Sequence, residues 1–119
     1  MDQAVPAGPW WLLRDGEVLA AAEVARSTAA RMRGLLGRSG YEGAFYLPRT
    51  RAVHTIGMRF AIDVAYLDSD LRVLAVGYLP PWRFGRPRRG TRSVLEAESG
   101  AFERWGLRQG DQLELHGGS

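Results

Sequence analysis

Ile62-Asp63-Val64-Ala65-Tyr66-Leu67-Asp68-Ser69-Asp70-Leu71-Arg72-Val73-Leu74-Ala75-Val76-Gly77-Tyr78 is the stretch on which the fold turns. Two apolar runs, 62–67 and 72–78, flank the polar link Asp68-Ser69-Asp70-Leu71. Each run is too short for a typical helix and apolar at consecutive positions, the pattern of a strand covered on both faces. The Asp and Ser side chains of the link can satisfy nearby backbone groups, so the whole reads as a β-hairpin with a longer loop.

Moving toward the N-terminus, Trp10–Arg14 and Glu17–Ala20 are joined by Asp15-Gly16. An Asp-Gly link between apolar runs predicts a tight hairpin, because both turn positions want positive φ. Ala44–Leu47 and Ala52–Thr55 read as further short strands. Between them and the first hairpin, Ser27 can cap a helix running to about Leu36, with Gly37 placed to end it. Toward the C-terminus, residues 79–92 hold three prolines, two glycines and five arginines and cannot form a regular element. Ser93–Ala97 alternates like a strand, Ala101–Trp105 reads as a short helix stopped by Gly106, and Gln112–His116 closes the chain as a strand. The organisation is a flexible leader over 1–9, one domain over 10–116 and a flexible tail over 117–119. If these strands wrap one shared interior, Val64, Leu74 and Leu113 pack together.

Composition bounds the function. At 119 residues there is room for one substantial core, and 45% hydrophobic with 24% charged residues is ordinary for a folded domain. The absence of cysteine excludes disulfides, thiolate chemistry and cysteine-based zinc sites. No signal-peptide pattern or membrane-length apolar run is visible, so a cytoplasmic address without membrane insertion is expected. All 16 basic residues are arginine, and the net charge of +3 permits acidic partners without requiring them.

Three separated blocks carry a resemblance. The first is Arg31-Met32-Arg33-Gly34-Leu35-Leu36-Gly37-Arg38, and the second runs from His54-Thr55-Ile56-Gly57-Met58 through Asp63 to Asp68. The third is Val94-Leu95-Glu96-Ala97-Glu98-Ser99-Gly100 followed by Gly106-Leu107-Arg108-Gln109-Gly110-Asp111. In this order they resemble an uncharacterised bacterial and archaeal family, domain of unknown function 192, over about residues 18–116; a bacterial source is expected. The resemblance implies a mostly β (α+β) fold, a small closed or partly closed β-barrel of the cradle-loop kind with one or two short helices. Gly110-Asp111 is similar to the Gly-Asp box of such barrels. Many members carry a Trp-Met-Lys-Asn-Thr type string where His54 to Met58 stand, and many have proline at Ala61. A role of that string is therefore not carried over to these residues.

His54, Asp63 and Glu96 are polar residues embedded in apolar strand contexts, where each needs a hydrogen-bond partner. They could meet as one polar site; the plainer reading has both carboxylates accepting backbone donors at strand ends. Their spacings of 9 and 33 residues match no metal-ligand motif, and no metal or cofactor is expected. Ser93 and Ser99 lie in no nucleophile elbow. Arg83, Arg86, Arg88, Arg89 and Arg92, interleaved with Trp82 and Phe84, could meet phosphates or bases, although charged loops are usually just solvated.

The candidate ligand-binding residues are thus His54, Thr55, Met58, Asp63, Glu96, Arg86, Arg88 and Arg89, with no catalytic residue assigned. The function expected is a non-enzymatic binding or accessory module for a peptide, protein or small anionic ligand. One alternative is a small hydrolase using His54 as base with Asp63 or Glu96. Another is nucleic-acid binding through the arginine loop 83–92.

Overall fold

The computed structural model describes residues 10–25 and 43–117. The expected helix from Ser27 lies outside the described residues. The strands are β1 (Trp10–Arg14), β2 (Glu17–Val24), β3 (Ala44–Leu47), β4 (Ile62–Leu67), β5 (Val73–Leu79), β6 (Ser93–Glu98) and β7 (Leu113–Gly117), with one helix, α1 (Ala101–Trp105), among the described residues. They form a seven-stranded mixed sheet in the order β5-β4-β6-β3-β2-β1-β7. The β2–β3 pair is parallel; the other ladders are antiparallel.

Local chemistry explains the hairpins. Asp15 and Gly16 both take positive φ, 53° and 81°, which lets the chain reverse in two residues between β1 and β2. In the β4–β5 link, the Asp68 carboxylate accepts N–H groups from Asp70 at 2.8 Å and Arg72 at 2.9 Å. This side chain thereby organises the loop, as an Asx turn does.

All six residues of β4 are buried, as its unbroken apolar run predicts. Side chains alternate across the sheet and build two cores. Ile62, Val64 and Tyr66 join Phe45, Leu47, Val53, Met58 and Val94 on one face. Ala65 and Leu67 join Leu12, Val73, Leu95, Phe102 and Leu113 on the other. Val64 and Leu74 thus belong to one cluster and Leu113 to the second, which corrects the expectation of a single shared interior.

The sheet is not closed into a barrel, contrary to the expectation of a closed one. Its edge strands meet only at their starts, where Arg72 bridges to Gln112 and Val73 N–H donates to Asp111 O at 2.9 Å. From there β5 follows β4 and β7 follows β1, and no ladder joins them among the described residues. A second correction concerns Ala52–Thr55, which is not a strand: His54 alone pairs, in an isolated bridge to Phe84. The turn at Ile56-Gly57, with Gly57 at φ 85°, ends the extended course, and Thr55 spends its bonding groups on the 80–83 loop instead.

Candidate functional site

The residues singled out from the sequence do not converge on one site. Asp63 and Glu96 lie on adjacent strands in a register that pairs Asp63 with Ala97 and Val64 with Glu96. Residues directly opposite share a face, so the two carboxylates point to opposite sides of the sheet. The alternative in which both carboxylates share one polar site with His54 therefore does not hold for Asp63 and Glu96 together. Asp63 Oδ2 accepts the N–H groups of Gly100 at 3.1 Å and Phe102 at 3.0 Å, fastening the start of α1 to β4. Glu96 is only 1% exposed and stands on the face of Val64 and Phe45.

Thr55 is fully buried and acts as a staple. Its hydroxyl donates to Pro80 O at 2.6 Å and accepts the N–H of Arg83 at 2.9 Å. Met58 is a core residue beside Val53 and Tyr66. His54 is half-buried, its Nδ1 accepting the N–H of Ile56 at 3.2 Å and its ring 5.9 Å from that of Phe84. Among the described residues, no three His, Asp or Glu side chains are grouped to hold a metal ion.

The arginines behave differently. Arg51, Arg88, Arg89 and Arg92 line one cleft of about 370 Å³. None of them forms an ion pair among the described residues. The backbone beneath is firmly held: Arg92 N–H donates to Leu67 O at 2.8 Å, and Arg92 O accepts the N–H of Thr50 at 3.0 Å. Thr91 donates its hydroxyl to Arg88 O at 2.7 Å, and Gly90 at φ 88° completes the turn between them. Arg86 is exposed and does not line the cleft.

Arg88 is oriented from below by Tyr66, whose ring centre is 5.7 Å from the guanidinium carbon, within cation–π range. The Nε of Arg88 is buried and has no hydrogen-bond partner among the described residues. Burial pushes the Tyr66 hydroxyl above its ordinary range; Arg88 opposes this and Glu96 adds to it, so the phenol is neutral at pH 7. Gly85 passes so close to the Tyr66 hydroxyl and Val53 that any side-chain carbon there would collide with both.

A second cavity of about 360 Å³ shares Arg92 with the first and is lined by Tyr46, Pro48, Arg49, Asp68 and Ser93 among others. Arg49, Arg51 and Ser93 are absent from the expected site residues. A signal existed in Arg49-Thr50-Arg51 after Pro48, two arginines around a turn. The β3–β6 ladder and the Thr50–Arg92 hydrogen bond beyond it bring that turn to the arginine loop.

No helix among the described residues is long and apolar enough to cross a membrane. The sequence profile of the family DUF192, described as uncharacterized ACR, matches residues 12–115. A UPF0127 protein of Pyrococcus furiosus is 39% identical over 89 residues, 71% of this chain and 77% of the relative. Another, from Pyrococcus horikoshii, is 34% identical over 105 residues, 84% and 88% of the two chains. These archaeal relatives overturn the expectation of a bacterial chain. A solved structure from Sinorhizobium meliloti, of a candidate transcription regulator, superposes with a TM-score of 0.74 at 22% identity and covers 92% of each chain. Identity that low speaks for the fold alone. The profile match over most of the length and the relatives above 30% identity show that the chain belongs to the uncharacterised DUF192 family.

Proposed function

We propose that this protein is a non-enzymatic binding module for a small anionic ligand, held in the cleft between the 48–51 turn and the 87–92 segment. One observation carries the reading: Arg51, Arg88, Arg89 and Arg92 line a single cleft, and no carboxylate pairs with any of them among the described residues. Like charges gathered on a held backbone repel one another, and an arriving anion relieves that repulsion. Guanidinium forks suit phosphate-type oxygens, which they can meet with two parallel hydrogen bonds.

The hydrolase reading has less support through Asp63, whose carboxylate already accepts two N–H groups at the start of α1. A second reading draws on a separate observation. Trp82 and Phe84 are 61% and 76% exposed beside Arg83 and Arg86, a composition that can stack on single-stranded bases.

Calorimetric titration with inorganic phosphate at low salt tests the first reading. Wild type is expected to bind, and an Arg88→Ala/Arg92→Ala variant to lose about tenfold or more in affinity. Absence of binding, or equal binding by the variant, removes the anion cleft. Binding of a short single-stranded oligonucleotide that survives Arg88→Ala/Arg92→Ala but not Trp82→Ala/Phe84→Ala would favour the second reading.

A further inference from the structure

We infer that the ligand carries two unlike anionic groups, a phosphate-type group in the four-arginine cleft and a carboxylate in the neighbouring cavity, straddling Arg92. The inference rests on the anion-binding reading above and extends it to a ligand class, a small phosphorylated carboxylic acid. Arg92 lines both cavities, so the two share an arginine that one ligand spanning them would meet. Its backbone is hydrogen-bonded through both N–H and C=O, so the shared residue's backbone stands in place before any ligand arrives.

The two cavities differ in charge. Four arginines surround the first, with no acidic residue in its lining among the described residues. The second sets Arg49 and Arg92 against Asp68. Asp68 already accepts two backbone N–H groups in the β4–β5 loop through Oδ1, which ties it to that loop. The balance suits a dianionic group in the first cavity and a monoanion in the second.

Ser93 supplies the independent observation. The residue is 3% exposed and lines the second cavity, and its buried hydroxyl has no hydrogen-bond partner among the described residues. Buried hydroxyls nearly always find a partner, and an unmatched one is costly. A carboxylate oxygen can accept that O–H while Arg49 and Arg92 supply the opposite charge. Arg49 itself is held at φ 51°, a left-handed conformation that ordinary side chains avoid, in the turn where Thr50 donates its hydroxyl to Pro48 O at 3.0 Å. A strained residue retained at a cavity wall fits a positioned charge.

The test compares ethylphosphonate with phosphonoacetate, 3-phosphonopropionate and 4-phosphonobutyrate by calorimetry on the full chain. Wild type is expected to bind one of the carboxylated probes about tenfold more tightly than ethylphosphonate. Ser93→Ala and Arg49→Ala should each remove most of that gain while leaving ethylphosphonate affinity unchanged. Binding of ethylphosphonate with no gain from the carboxylate at any length overturns the two-group ligand and leaves the anion cleft standing. A gain that persists in both variants also overturns it. If no phosphonate binds, this inference and the anion-binding reading fall together.

Discussion

The β4–β6 ladder has two ends, and polar groups are treated oppositely at them. Where Asp63 faces Ala97, the carboxylate has two backbone donors and α1 docks on it. Where Leu67 faces Ser93, the hydroxyl has no partner among the described residues, and the arginines of the two neighbouring cavities form no ion pair among them. The first end is complete in itself; the second is the one proposed above to be completed by a ligand. Sequence context cannot separate the two, because Asp63 and Ser93 both sit in buried strands. Whether a buried polar atom is satisfied is the discriminating property.

The largest expected effect is at the satisfied end. Asp63→Ala removes a charged acceptor from two N–H groups and should cost about 2–3 kcal/mol of folding stability by denaturant titration, with anion affinity unchanged. A loss below about 0.5 kcal/mol would mean that α1 docks without this anchor and would dissolve the contrast. A smaller effect belongs to Tyr66, at the arginine end. Its folded pKa lies above that of the unfolded chain, so the unfolded state loses the phenolic proton first as pH rises. The associated stability is fully present below about pH 10 and is lost as pH climbs through the folded value. Unfolding profiles of wild type and Tyr66→Phe should diverge only in that alkaline window. Divergence near neutral pH would contradict the assignment. The smallest effect is expected for Ser93→Ala, within about 0.5 kcal/mol of wild type or slightly more stable, because an unmatched hydroxyl is removed. A cost comparable to that of Asp63→Ala would show that the hydroxyl serves the fold.

Much of the fold is legible from local chemistry. Asp15-Gly16 demands positive φ at both positions and takes it, and the unbroken apolar run 62–67 marks the most buried strand. Barrel closure was not legible, because it depends on whether the margins β5 and β7 run together or part after Arg72–Gln112. No residue in either strand encodes that angle. Of the candidate residues, Arg88 and Arg89 do line a cleft. Thr55, Met58 and Asp63 turn out to have structural partners, since alternation reveals which face a residue occupies but not what loop or helix lands there. Arg49 and Arg51 were not singled out, and Ser93 was weighed only as a nucleophile, because their neighbours are distant in sequence and are assembled by the β3–β6 and β4–β6 ladders and the Thr50–Arg92 hydrogen bond.

The Arg72–Gln112 bridge has a consequence for the integrity of the whole molecule. One short clasp fastens both free margins, so deleting 110–117 would strip the partner from β1 and the guard from β5 in a single cut. Two bare strand templates would then be offered to neighbouring chains at once. Self-association of such a truncated chain should therefore rise far more than the loss of one strand implies, which light scattering would register directly.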